Sequence, residues 1–245
     1  MKIGGLQKTT LIDFPGKTAA TIFVSGCNFS CPFCYNPELV LPEKIKENPD
    51  ISNKEIFQFL KERKGFLQGI VICGGEPTIH SDLPEFLKKI KTMGYLIKID
   101  TNGSNPKMLK KLIKEKLVDY IAMDIKAPLE SNFQFSISNF QFLKYQKVAG
   151  VEVDLEKIRE SVQIIKESGI EYEFRTTVVP GIHTKEDIIQ IAKDISPAKK
   201  YYLQNFQANQ KTIDPSFQNT KPYREEYLKE IRNLIKDGFE ICEIR

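Results

Sequence analysis

Three cysteines fall within eight residues, Cys27, Cys31 and Cys34, in the stretch GCNFSCPFCYNPELV. Their spacing is C-x3-C-x2-C. Thiolates are soft ligands that suit zinc and iron–sulfur clusters. A structural zinc site wants four protein ligands. The fourth would have to come from Cys73, Cys242, His80 or His183, and none of these lies in a paired C-x-x-C or H-x3-H arrangement. A [4Fe–4S] cluster normally takes four cysteines. Holding it with three leaves one iron open, and an open metal position is what catalysis needs. If the metal is a cluster, three thiols signal chemistry.

The elements that must position these thiols read as alternating strands and helices. AATIFVSG ends at the cysteines. The strands GIVICGG, YLIKID, DYIAMDIK, IEYEFRTTVV, KYYLQNF and FEICEIR follow, separated by patterns such as NKEIFQFLKER, LPEFLKKIKTMG and PKMLKKLIKEK. Helical apolar spacing in the long pieces and apolar runs in the short ones predict parallel strands covered by helices. Polar groups collect at or just past the strand ends: Cys27, Gly74–Pro77, Asp100–Gly103, Asp124–Lys126, Arg175–Thr177 and Gln204–Phe206. Ligands gather at that edge of parallel sheets. Six such sites around a common centre predict an α/β fold, a partial (β/α)6-type barrel with outer helices.

The chain has 245 residues and a net charge of only +4, which argues for neither nucleic acid nor membrane as a partner. Five cysteines, an odd number with three crowded together, make a poor disulfide framework and suit a reducing compartment. The N-terminal stretch lacks an apolar signal core, and no apolar run is long enough to span a bilayer. These features predict one domain over 1–245 and a cytoplasmic location. SNFQFSISNFQFLK, residues 131–144, repeats SNFQF and reads as a surface-loop insertion.

The cysteine motif, with Phe33 before its last cysteine, resembles the cluster motif of radical S-adenosylmethionine (SAM) enzymes. CGGEPT at Cys73–Thr78 resembles that superfamily's GGEP motif. IDTNG at Ile99–Gly103 and MDIK at Met123–Lys126 resemble motifs of its glycyl-radical-activating branch. Residues 5–40 and YEFRTTVVPGIHTKEDI, residues 172–188, look closest to anaerobic ribonucleoside-triphosphate reductase activating proteins.

The resemblance implies a [4Fe–4S] cluster on Cys27, Cys31 and Cys34. It implies SAM on the open iron and reductive cleavage to an adenosyl radical that takes hydrogen from a glycine of a partner. No catalytic side chain beyond cluster and SAM is implied. Phe33 and Tyr35 would lie against the adenine side. Gly74, Gly75 and Glu76 would shape the turn at the SAM amino group. Asp100, with Thr101 and Asn102 nearby, would face the ammonium, and Lys126 the carboxylate. Asp124 would join Asp100 around a monovalent cation, and Arg175 would contact SAM or substrate. Gln204 or Phe206 would stand where relatives carry a late histidine. Flavodoxin or ferredoxin would supply the electron. Other readings are an activator of another glycyl radical enzyme such as pyruvate formate-lyase, a radical SAM enzyme acting on a small molecule, and a non-catalytic metal-stabilised binding protein. His80, His183, Cys73 and Cys242 read as packing residues.

Overall fold

A computed structural model describes residues 1–48, 50–129 and 138–245, the side chains of 138–143 excepted. Its strands are β1 (Ile3–Thr10), β2 (Ala19–Val24), β3 (Gly69–Gly74), β4 (Leu96–Thr101), β5 (Tyr120–Asp124), β6 (Glu171–Val178), β7 (Ala198–Asn205) and β8 (Phe239–Ile244). They form one sheet in that order. β1 pairs antiparallel with β2, and every later pair is parallel. The helices are α1 (Pro37–Val40), α2 (Pro42–Glu47), α3 (Asn53–Glu62), α4 (Leu83–Thr92), α5 (Pro106–Lys114), α6 (Ser138–Ala149), α7 (Leu155–Glu167), α8 (Lys185–Ile195) and α9 (Glu225–Ile235). Among the described residues no helix is long and apolar enough to cross a membrane.

The sheet curls. β2 and β6 lie four strands apart, about 19 Å on a flat sheet, yet Cys27 after β2 and Arg175 on β6 line the same cavity. β1 and β8 do not pair with each other among the described residues, so the barrel is partial. Alternate strand residues point outward beneath the helices: Ile70 and Ile72, Ile97 and Ile99, Ile121 and Met123 are all fully buried. They meet Leu87, Leu109, Leu112, Ile158 and Ile191 from the helices in one core. Fully burying one such side chain contributes about 1.5–3 kcal/mol. The inner face differs. Phe14, from the β1–β2 turn, packs there with Ala19, Val71 and Tyr120 and closes the lower end.

Local signals start the helices. Ser52 and Glu55 form a capping box on α3, and Thr184 and Asp187 form another on α8. Asn105 caps α5 through its side chain, which accepts from Met108 N–H.

Two expectations change. β1 was not anticipated: its GGLQKTT run lacks apolar alternation, and its pairing with β2 is broken by two register shifts. Of the insertion at 131–144, residues 131–137 lie outside the described residues. From Ser138 the chain is helix rather than loop, because α6 continues to Ala149. α6 also ends at the functional site, as described below.

Candidate active site

β2 delivers the chain to the cysteine loop, and hydrogen bonds from distant segments hold that loop. Gly26 N–H donates to Leu39 O at 2.7 Å, and Cys34 N–H to Cys31 O at 2.9 Å. Ser30 N–H donates to Ala149 O, the last residue of α6, at 2.8 Å. Ile213 and Asp214 N–H donate to Cys34 O and Pro32 O at 3.2 and 2.8 Å. The segment after β7 therefore straps the loop down.

All three thiols line one cavity of about 190 Å³. Burial, then the Glu76 charge, pushes the Cys27 thiol up to about 12. Burial pushes Cys31 up to about 11 and also raises Cys34. Such thiols ionise only when metal charge replaces their protons. Phe29 N–H already donates to Cys27 Sγ at 3.3 Å, the kind of contact that tunes a cluster. Among the described residues no three His, Cys, Asp or Glu side chains converge as on a single ion. Three thiols around a cavity fit a multi-iron cluster better than one tetrahedral zinc.

The GGE turn at the end of β3 abuts this loop. Gly75 N–H donates to Val24 O and Glu76 N–H to Gly26 O, both at 2.8 Å. A Cβ on Gly75 would sit 1.9 Å from Gly26 O, and Gly74 has φ +116°. The glycines are thus required first by the chain's own backbone. Glu76 is 1 % exposed. It accepts from Thr78 N–H at 3.0 Å, from the Thr78 and Thr101 hydroxyls, and from Asn102 N–H at 2.6 Å. It therefore joins the ends of β3 and β4. Burial raises its pKa against the pull of these donors.

Thr101, Asn102, Asp100, Asp124, Lys126 and Arg175 line the same cavity. Their charges alternate. Arg175 Nη1 reaches Asp100 at 3.0 Å, and its Nε reaches Asp124 at 2.9 Å. Lys126 Nζ holds the other Asp124 oxygen at 3.0 Å, and Lys98 holds the other Asp100 oxygen. Burial works against the Asp124 charge, but Arg175 and then Lys126 outweigh it and hold the carboxyl down to about 2. Asp100 is lowered by Arg175 and Lys98 in the same way, against burial. The Arg175 guanidinium lies between Asp100 and Asp124. Its planar fork bridges both carboxylates.

Tyr35 lines the cavity, and its hydroxyl accepts from Gln207 N–H at 2.7 Å. Phe206 stacks behind it at 5.6 Å and is 1 % exposed. Neither Phe206 nor Gln204 lines the cavity. Phe33 lines it while packing edge-on against His183 and Phe217. His183 is buried, as a packing residue, and also tethers two loops. Nδ1 accepts from Val179 N–H at 3.0 Å, which makes Nε2 the donor to Lys126 O at 2.8 Å. Cys73 lines the cavity floor, and Cys242 is buried in the core.

Several residues were missed. Asn28 is exposed beside Cys27, accepts from Asn102 Nδ2 at 3.0 Å and donates to Ser104 Oγ at 2.8 Å, bridging two loops at the rim. Tyr145 on α6 is fully buried and accepts from Lys126 N–H. Lys98 and Glu173 carry charges on the inner face. The period-two polar residues of LIKIDT and EYEFRTTV were the signal for them.

The family description "Radical SAM superfamily" matches residues 21–195. The chain belongs to the radical SAM superfamily. This radical SAM enzyme is 32 % identical over 248 residues to a Methanocaldococcus jannaschii protein named "Putative glycyl-radical enzyme activating enzyme", covering 99 % of this chain and 95 % of that one. It is thus a member of the glycyl-radical enzyme activating family. A pyruvate formate-lyase-activating enzyme of Listeria monocytogenes is 29 % identical over 135 residues, 51 % of this chain and 53 % of that one. Among solved structures, Streptococcus suis SuiB shares the fold with TM-score 0.63 at 15 % identity, covering 91 % of this chain and 48 % of SuiB. The radical SAM fold accounts for the open parallel sheet and for the gathering of polar residues at its strand ends.

Proposed function

We propose that this radical SAM enzyme activates anaerobic ribonucleoside-triphosphate reductase by removing a hydrogen atom from one of its glycines. The observation that carries the reading is a shared cavity. The three-thiol loop, the GGE turn and the Asp100–Asn102 strand end all line it. The full-length activating relative supports the reaction class. The choice of reductase rests on residues 5–40 and 172–188, which resemble that subgroup. When bound, the [4Fe–4S] cluster and SAM supply an electron and a radical able to take hydrogen.

The chain's own residues do the rest. Cys27, Cys31 and Cys34 hold the cluster. Lys126, whose ammonium is kept charged against burial by Asp124 and then Cys31, offsets the thiolate charge. It uses one contact on Asp124 and keeps further N–H donors for a carboxylate. Asp100 accepts from Lys98 and Arg175 and retains lone pairs for an ammonium. Gly74 and Gly75, held by Glu76, present backbone to the same group. Thr101 and Asn102 are fixed on Glu76. Tyr35 and Phe33 form the apolar wall beside Cys34. Arg175 fixes the two carboxylates rather than reacting. His183 does not act as a base, since both of its nitrogens are committed. An external one-electron carrier, flavodoxin or ferredoxin, reduces the cluster, and the reaction belongs in the cytoplasm.

Electron paramagnetic resonance tests this directly. The anaerobically reconstituted protein is mixed with reductant, SAM and an anaerobic ribonucleotide reductase. A glycyl-radical doublet with deoxyadenosine release is the expected result. Deoxyadenosine without a doublet rejects that partner. The Listeria relative makes pyruvate formate-lyase the second target to try. Neither signal with a full cluster present rejects the reaction.

A further inference from the structure

The α5 helix breaks two local rules at once. Its sequence, PKMLKKLIK, contains four lysines and no acid. Lys107, Lys110, Lys111 and Lys114 are all exposed and follow the i, i+3, i+4, i+7 pattern, so they share one outward face. Like charges at that spacing repel. Lys107 also lies in the first turn, where the helix dipole favours an acid and none is present. Among the described residues none of the four makes an ion pair, and neither does Glu115, the acid that follows at the C-cap. α7 and α9 mix signs instead: Arg159 pairs with Glu156 on α7, and Lys229 with Glu225 on α9.

The stripe also has a fixed place relative to the cysteines. Asn105, its N-cap, donates from Nδ2 to Thr78 O at 2.7 Å, tying the helix start to the GGE turn. The preceding Ser104 accepts from Asn28, the residue after Cys27. The stripe therefore starts at the cavity rim and runs down the outer flank for about 10 Å, leaving the cavity mouth free for substrate.

We propose that the α5 lysine stripe is the docking surface for an acidic ferredoxin that delivers the reducing electron; the inference rests on the proposed function. The occupant follows from charge and from need. A one-signed stripe is complementary to an acidic protein, and a short footprint suits the small, weak interfaces of electron-transfer partners. The carrier is oxidised by one electron as the cluster is reduced by one. Docked on α5, it abuts the Asn28–Ser104 bridge, one residue from Cys27.

The test reverses the stripe: K107E/K110E/K111E/K114E. An acid at 107 suits the helix dipole while acids at 111 and 114 oppose it, so this variant is expected to fold with a slightly lowered melting temperature. The probe is a purified acidic [4Fe–4S] ferredoxin. Its binding to the holoenzyme is followed by titration calorimetry, and SAM cleavage is driven either by reduced ferredoxin or by dithionite. The wild type is expected to bind more weakly as salt rises from low to physiological strength. The variant should lose binding and ferredoxin-driven cleavage about tenfold or more at low salt, and keep dithionite-driven cleavage within twofold. An equal loss in K54E/K61E/K64E, which reverses exposed lysines on and just after α3, would overturn the assignment, since net charge alone would then explain it. Unchanged ferredoxin binding, or a flavodoxin served by the stripe while ferredoxin is not, would overturn it as well. So would a stripe variant that reacts normally with ferredoxin and fails only to activate the glycyl radical enzyme. A wild type that cannot cleave SAM even with dithionite would instead reject the proposed function, while the binding measurement still judges the stripe.

Discussion

Asn102 N–H donates to the Glu76 carboxylate at 2.6 Å, so a single buried acid spans the ends of β3 and β4. Every donor around it points inward at an acceptor. Glu76→Gln introduces an amide N–H₂ among those donors and leaves at least one pair unsatisfied. The expected loss is about 1–3 kcal/mol of stability, with weakened SAM affinity. Urea unfolding and equilibrium SAM binding measure the two. Wild-type values for both would show that the clamp does not position the turn.

Arg175 is the cation shared by Asp100 and Asp124. Arg175→Met leaves each carboxylate with only its lysine. Breaking a buried ion network by removing one partner costs about 3–5 kcal/mol. Arg175→Lys is expected to recover only part of this, since one ammonium cannot fork to both acids. Full recovery by lysine, read from denaturation midpoints, would contradict the bridging role.

His183 makes stability pH-dependent. Burial lowers its pKa from the ordinary 6.5 to about 4, against the pull of the hydrogen bond to Lys126 O, which favours the charged ring. Below 6.5 the unfolded chain takes up a proton that the folded chain refuses until about 4. Stability therefore falls as pH drops through that window, by up to roughly 3 kcal/mol, and this contribution levels off below it. His183→Gln is expected to flatten this part of the profile. An unaltered slope in the variant would assign the dependence to other groups.

On the proposed reading Cys27, Cys31 and Cys34 are ligands and Cys73 is cavity lining. Cys31→Ala is expected to abolish the [4Fe–4S] absorption and SAM cleavage after anaerobic reconstitution. Cys73→Ala, which changes the cavity floor, is expected to keep full iron and sulfide content. Iron analysis of both variants settles the division, and loss of iron in Cys73→Ala would make it a fourth ligand.

The seven parallel strands were legible because their outward residues, such as Ile70, Ile97 and Ile121, are apolar and their ends carry polar clusters. Most of the cavity followed from motif positions at those ends. What stayed hidden depends on the third dimension. Asn28 and Ser104 are 76 residues apart, and nothing in either local pattern marks their contact. Phe206 sits at a strand end, yet its ring turns away to support Tyr35. The charge of Asp100 was evident, and Lys98 shares its strand face two residues earlier, but its engagement by Arg175 was not, because that depends on the curl that brings β4 and β6 together. β1 escaped notice because an edge strand with one wet face needs no apolar run.

The strap over the cysteine loop bears on how the protein is made. Cys34 O and Pro32 O receive their hydrogen bonds from Ile213 and Asp214, about 180 positions later in translation. At roughly 5–20 residues per second, the three thiols leave the ribosome and remain without that cover for about ten to forty seconds. During synthesis they are open to iron delivery and to oxidants alike, and completion of β7 and the segment after it ends that interval.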